Sequence, residues 1–197
     1  MSFDIDVGHA SDCGPRETNE DFAAVQRPAQ ADRDMGWIAA LADGVSTGGA
    51  GGVAAQTTVM SLVSDFFSAP PTWDTTVALD RILRAQNTWL VAHNRRRAWL
   101  QDGGTALTTL TALVLRGHSW TLAHVGDSRA WLLRDGELTQ LSQDHALGSS
   151  SIQNTLTRAL GLDDHVQVDF SQGELQPGDI VVLTSVGPHA SCRRNPP

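Results

Sequence analysis

Four short clusters in this 197-residue chain carry side chains that could do chemistry: Arg16 with Asn19, Glu20 and Asp21; Asp43-Gly44; Gly103-Gly104-Thr105; and Gly126-Asp127-Ser128-Arg129. Three of them hold carboxylates and two hold an arginine. Oxygen-only donor sets suit hard cations such as Mg²⁺ or Mn²⁺. A guanidinium suits a planar grip on phosphate. The combination points to metal-assisted phosphoryl chemistry. Taken singly, each cluster also reads as a turn, because Asp, Asn and Gly are the common turn residues. Asp43 is the most distinctive of the acids. The apolar run Ile38-Ala39-Ala40-Leu41-Ala42 delivers it to a strand end, and a glycine-rich stretch to Gly52 follows.

Other chemistries find no support. The chain has no G-x-x-x-x-G-K-[ST] phosphate loop, no H-E-x-x-H and no G-x-S-x-G. His9, His93, His118, His124, His145, His165 and His189 lack ligand spacing and are expected on the surface or hydrogen-bonded in the core. A sugar- or nucleotide-binding reading would rest on the glycine loops alone. The formal net charge of -8 argues against nucleic acid as the main partner. Cys13 and Cys192 suggest neither a disulfide framework nor a zinc site and fit a reducing compartment. Residues 1–10 carry no signal pattern, and no apolar run approaches the roughly 20 residues that span a bilayer. A cytoplasmic monomer without a membrane partner is expected.

The elements that must position these clusters follow from periodicity. Phe3, Ile5 and Val7 alternate with polar residues and predict a half-buried strand. Residues 11–21 read as a loop, 22–26 as a second strand, 27–34 as a polar connection and 36–42 as the strand ending at Asp43. Val53, Met60, Val63 and Phe67 share one face of a predicted helix that ends at Ala69-Pro70-Pro71. Thr72 or Asp74 could cap a second helix, marked by Leu79, Ile82, Leu83, Gln86 and Leu90 and running to about Arg97. Strands are expected over 105–115, 119–125, 129–133, 137–141, 166–170 and 179–185, with Asp135-Gly136 as a hairpin turn. Residues 142–164 read as loop-rich, with 149–151 mobile. Strands, two helices, then many antiparallel-looking strands make an α+β pattern, not an alternating one.

The clusters recur in a telling order. R-x-x-N-E-D at Arg16–Asp21 is followed by A-D-G at Ala42–Gly44, G-G-T-A at Gly103–Ala106 and V-G-D-S-R-A at Val125–Ala130. Then come Asp144-His145, L-T-R-A-L-G at 156–161, and G-D-x-x-x-L-T-S at 178–185. This series, from about Asp6 to Ser185, resembles the bacterial metal-dependent protein phosphatase 2C (PPM-type) family. The resemblance implies an antiparallel β-sandwich flanked by helix pairs. It also implies hydrolysis of phosphoserine and phosphothreonine on proteins, through a hydroxide bridging two Mn²⁺ or Mg²⁺ ions. By the same resemblance, Asp43 bridges the two metals and Gly44 offers its carbonyl to one. Glu20 and Asp21 sit at the metal cluster, Asp127 attends a third, weaker metal, and Arg16 grips the substrate phosphate. Catalysis is assigned to Arg16 and Asp43. With no histidine in Val45-Ser46-Thr47, the leaving-group proton would come from water. Phosphorylated proteins, and a serine/threonine kinase acting on them, are the implied partners.

The chain departs from the family pattern after Ser185. Where T-S-D-G is expected, it reads Thr184-Ser185-Val186-Gly187, and a final D-N motif is absent. Residues 1–185 are therefore assigned to an incomplete PPM-type domain. Residues 186–197 are assigned to a non-family tail produced by a shift of reading frame, with an uncovered sheet edge and reduced stability expected. A catalytically impaired pseudophosphatase or binding module is the alternative to an active enzyme.

Overall fold

The computed structural model describes residues 3–14, 16–46, 49–100, 104–147 and 155–186. Strand β1 (Asp21–Gln26) pairs antiparallel with the long β2 (Trp37–Ser46). Helices α1 (Gly51–Ser68) and α2 (Thr75–Leu100) follow. Next come β3 (Ala106–Thr108), β4 (Leu110–Arg116) and β5 (Ser119–Val125). A further group comprises β6 (Arg129–Arg134), β7 (Glu137–Gln140), β8 (Ala146–Leu147), β9 (Thr155–Leu156), β10 (Asp169–Glu174) and β11 (Ile180–Thr184).

The strands form two principal antiparallel sheets. One runs β1-β2-β4-β5-β10, with β3 also on β2; the other runs β11-β6-β7, and β8 pairs with β9 in a small ribbon. One face of the larger sheet packs on the helices around Ile38, Ala40, Val59, Leu62, Phe66, Leu79 and Leu83. On another face Leu113, Trp120, Leu122 and Ala130 gather with Val181 and Leu183, which joins the two sheets. This is the α+β architecture expected from the sequence, and burial of apolar surface on both faces of the central sheet is its main stabilising term.

Several expectations are corrected. Residues 3–7 form no strand: Phe3 and Ile5 are half-buried but Val7 is 51% exposed, and no described strand hydrogen-bonds with them. Alternation supplies a face, yet a strand also needs a partner. The polar connection 27–34 contains a short 3₁₀ helix, Gln30–Met35. Of the expected α1 face, Val63 is buried and Phe67 packs on the core, but Val53 and Met60 are 66% and 53% exposed. The buried face is Ala54, Ala55, Thr58, Val59, Leu62, Val63 and Phe66. Small residues allow α1 to lie close to the sheet, and a search for large apolar residues overlooks them. Strand 105–115 is two strands, with the ladder interrupted at Thr109, and strand 166–170 is shifted to Asp169–Glu174.

Other boundaries match. β5 spans the predicted 119–125, α1 stops at Ala69, and the carbonyl of Asp74 accepts the first helical bond of α2, from Ala78 (3.0 Å). Asp135 and Gly136 both have positive φ, 51° and 82°, as a tight β6–β7 hairpin requires. The expected mobile run 149–151 and the tail from residue 187 lie outside the described residues.

Candidate metal and phosphate site

β1 and β2 pair in a register that sets Asp21 opposite Asp43. The strand does not end at Asp43, as the sequence suggested. β2 leaves β4 after Leu41 and continues through Gly44–Ser46 on β3. The register is unchanged across the gap, since Leu41 faces Thr111 and Gly44 faces Thr108. In the gap, Thr109 N–H donates to the Asp43 carbonyl (2.9 Å), but the Asp43 N–H turns to the Thr109 hydroxyl (3.0 Å). That hydroxyl also bonds the Ser128 hydroxyl (2.8 Å), next to Asp127. One buried threonine thus ties the backbone of Asp43 to the turn that carries Asp127.

The acids are crowded. Asp43 and Asp127 are each only 6% exposed. Burial pushes the Asp43 carboxyl up to about 7; Asp21 and Asp127 push the same way, while Arg16 opposes them. Burial also raises Asp127, again against Arg16 and Arg129. The charge of Arg16, an exposed loop residue, therefore reaches both acids. Asp21 stands opposite Asp43, and the charges of Arg16 and Asp127 bear on Asp43 from positions far apart in sequence.

Glu20 is directed elsewhere. Its side chain accepts from the Gly52 N–H in the first turn of α1 (3.4 Å), where a carboxylate suits the helix dipole. Its carbonyl accepts from Gly44 N–H (3.0 Å). At Gly44 a Cβ would collide with the Gly51 backbone and lie 2.8 Å from the Glu20 carbonyl oxygen. Only glycine lets β2 approach the start of α1 this closely.

Sequence reasoning gave no role to three hydroxyl residues at this site. Thr109 and Ser128 are described above, and Ser185 Oγ donates to Asp21 Oδ2 (2.7 Å). Val186 follows directly, so an apolar side chain adjoins this end of the site. The T-S of the T-S-x-G motif was the available signal for Ser185.

Among the described residues no three His, Cys, Asp or Glu side chains are gathered tightly enough to cage an ion as they stand. The chemistry of the donors nevertheless fits a hard divalent cation. Asp21 Oδ1 is buried and meets no N–H or hydroxyl donor, its carboxyl lying against that of Asp43, an expensive state for two carboxylates that cation coordination relieves. Its neighbours Asp43 and Asp127 offer only oxygen donors, and their mutual repulsion would be relieved in the same way.

The sequence pattern of the family described as protein phosphatase 2C matches residues 16–196. The serine/threonine protein phosphatase PstP of Mycobacterium tuberculosis is 40% identical over 107 residues, which are 54% of this chain and 20% of PstP. The chain thus spans about a fifth of that relative's length. The serine/threonine phosphatase stp of Listeria welshimeri is 30% identical over 191 residues, covering 87% of this chain and 73% of the relative. The crystal structure of the catalytic domain of PstP in complex with two manganese ions superposes with a TM-score of 0.63 at 32% identity, covering 85% of this chain and 71% of that one.

Proposed function

The chain belongs to the protein phosphatase 2C family, and from that membership and the carboxylate cluster we propose that it hydrolyses phosphoserine and phosphothreonine esters on proteins. The observation that carries the reading is the pairing of Asp21 opposite the buried Asp43, with the charges of Asp127 and Arg16 bearing on the same carboxyl. We assign a pair of Mn²⁺ or Mg²⁺ ions to Asp21, Asp43 and the Gly44 carbonyl, with Glu20 at the margin and a third, weaker ion at Asp127. When bound, such ions supply Lewis acidity: they draw charge from phosphate oxygens and make water a competent nucleophile near neutral pH.

The chain's own residues do the rest. Arg16 stands on an exposed loop at the rim, where a bulky phosphoprotein can reach it. Its guanidinium would take two phosphate oxygens and hold the ester in line for attack. The same charge would strengthen its hold as negative charge grows on those oxygens. The backbone of Asp43 is held by β1 on one side and by the Thr109 hydroxyl on the other, so it needs little reorganisation. The sequence Val45-Ser46-Thr47 after the site holds no histidine to deliver a proton; the leaving serine or threonine oxygen takes its proton from water. Among the described residues no helix is long and apolar enough to cross a membrane. We place the protein in the cytoplasm, acting on kinase products as a monomer; the free, exposed thiol of Cys13 suits a reducing setting.

The test is hydrolysis of a phosphothreonine peptide with and without Mn²⁺. Turnover is expected only with the metal. Asp43→Asn should lower kcat by more than about 100-fold, since even outer partners of metal ligands are worth 10–100-fold. Arg16→Ala should raise KM. Val186→Asp restores a carboxylate beside Ser185 and should lower the Mn²⁺ concentration needed. Turnover that persists in chelator, or survives Asp43→Asn, refutes the proposal.

A further inference from the structure

Behind the turn that carries Asp127 lies a second polar cluster, formed by His124, His145, Arg158 and Asp169. The metal and phosphate chemistry assigned above does not use it. Its centre is the Gly126 peptide. Gly126 has φ of +113°, and a Cβ there would lie 2.5 Å from Thr109 side-chain atoms. No other residue could hold this backbone conformation without strain.

Three hydrogen bonds fix the two peptides that meet at Gly126. The Gly126 N–H donates to His145 Nδ1 (3.1 Å). Its carbonyl accepts from the His145 N–H (2.7 Å) and from His124 Nε2 (3.0 Å). Because His145 Nδ1 accepts, its ring proton sits on Nε2, which donates to Asp169 Oδ2 (2.9 Å). Arg158 Nη1 lies 3.2 Å from the same Nε2 but cannot donate into an N–H. It acts instead on Asp169 Oδ1 (2.8 Å), holding the carboxylate that holds the ring. The turn is tied down on its far side too, by the two-pronged Arg129–Asp144 pair, whose acid immediately precedes His145 (2.6–3.1 Å). The rings of His124 and His145 pack at 5.0 Å.

We propose that His145, braced by Asp169 and Arg158, is a positioning residue: its ring holds the Gly126 N–H, in the peptide that enters the turn, and so fixes the turn that carries Asp127. The proposal rests on the metal-dependent reading above. Partners that orient a ligand from behind are worth about 10–100-fold in metal affinity or activity.

Three variants separate the two bonds of the ring. His145→Asn keeps an acceptor near the Nδ1 position and loses the link to Asp169. His145→Gln keeps a donor near the Nε2 position and loses the acceptor for Gly126. His145→Ala loses both. Mn²⁺ binding is read by titration calorimetry, independent of turnover, alongside kcat and KM on a phosphothreonine peptide and the ¹⁵N shifts of the His145 ring. The wild-type shifts should report the Nε2–H tautomer. The Ala and Gln variants should bind Mn²⁺ about 10-fold more weakly or worse, with kcat lowered and KM within about twofold, because Arg16 is untouched. His145→Asn should recover most of the binding. Leu79→Ala, a core truncation in α2, supplies a destabilised control that should bind Mn²⁺ as the wild type does.

Wild-type Mn²⁺ affinity in all three His145 variants overturns the proposal. So does a loss in Leu79→Ala as large as theirs, or an Nδ1–H tautomer. A wild type that binds Mn²⁺ without turnover refutes the phosphatase reading alone, and calorimetry still decides the role of His145. A wild type that binds no Mn²⁺ refutes both.

Discussion

Replacing Thr109 by valine removes one oxygen and keeps the shape. That oxygen accepts from the buried Asp43 N–H and bonds the Ser128 hydroxyl. Thr109 is fully buried, so water cannot take its place. Leaving a buried N–H without a partner costs about 1–3 kcal/mol. With Ser128 also losing its partner, a loss of about 2–3 kcal/mol is expected. For a chain of this length that corresponds to a melting temperature lower by roughly 5–10 °C. Thr109→Ser keeps the hydroxyl and gives up only a methyl beside Gly126, a loss of about 1 kcal/mol. The assay is equilibrium unfolding in urea with chelator present, in which the midpoint should fall and the slope should not change. Mn²⁺ affinity should fall in the valine variant and persist in the serine variant, because only the former frees the Asp43 backbone. A valine variant within about 0.5 kcal/mol of wild type, the ordinary scatter of neutral substitutions, would refute the reasoning. So would a serine variant as unstable as the valine one.

Gly44→Ala should be among the most damaging small substitutions in the chain, costing about 3 kcal/mol or more, because its Cβ meets backbone atoms of Gly51 and Glu20 that cannot turn aside; thermal melts measure it. His124 should make stability fall with acid. Its burial, followed by the neighbouring His145, lowers its pKa from 6.5 to about 4. Between those values the unfolded chain holds the extra proton, so stability present above about pH 6.5 is lost as pH falls toward 4. The full window is worth on the order of 3 kcal/mol, and His124→Gln should flatten that part of the urea midpoint curve. Asp43 has the opposite sign. Its folded pKa of about 7 lies above the ordinary 3.8, so in chelator its contribution declines as pH rises from about 4 to 7. Asp43→Asn should therefore melt higher than wild type at about pH 8 without metal, the reverse of what loss of a structural ion pair would give.

The fold was legible where one periodicity dominated. β5 is apolar with a turn glycine before it and another after it, and its limits could be read directly from the sequence. The second helix showed Leu79, Leu83 and Leu90 at helical spacing, and all three are buried. Legibility failed where partners decide. The contacting face of α1 is alanine, threonine and glycine as much as valine and leucine, so size picked out Val63 and Phe67 correctly but added the exposed Val53 and Met60. Residues 3–7 alternate correctly and remain without a ladder, because alternation describes a face and says nothing about which edge is available.

At the candidate site, the charged residues could be named from sequence and the residues that bond to their backbones could not. Arg16, Asp21, Asp43 and Asp127 stand in recognisable motifs because their chemistry restricts residue type. Thr109, Ser128 and Ser185 are ordinary in type. Their importance comes from register: Thr109 faces Asp43 because β2 keeps its pairing across the gap between β4 and β3. His145 read as either a surface or a hydrogen-bonded core histidine, and it is the second, buried and hydrogen-bonded. What the sequence could not supply is that its ring accepts from the Gly126 N–H, at the glycine before Asp127. A carboxylate at a metal site needs two things, a position and a direction. Strand pairing gives Asp43 its position opposite Asp21, and the Thr109 hydroxyl constrains its backbone. For Asp127 a glycine turn provides the position, and such a turn is soft unless its peptide is tied. The three hydrogen bonds on Gly126 supply that stiffness, so loss of His145 should be felt first in the geometry at Asp127 and only afterwards in the fold.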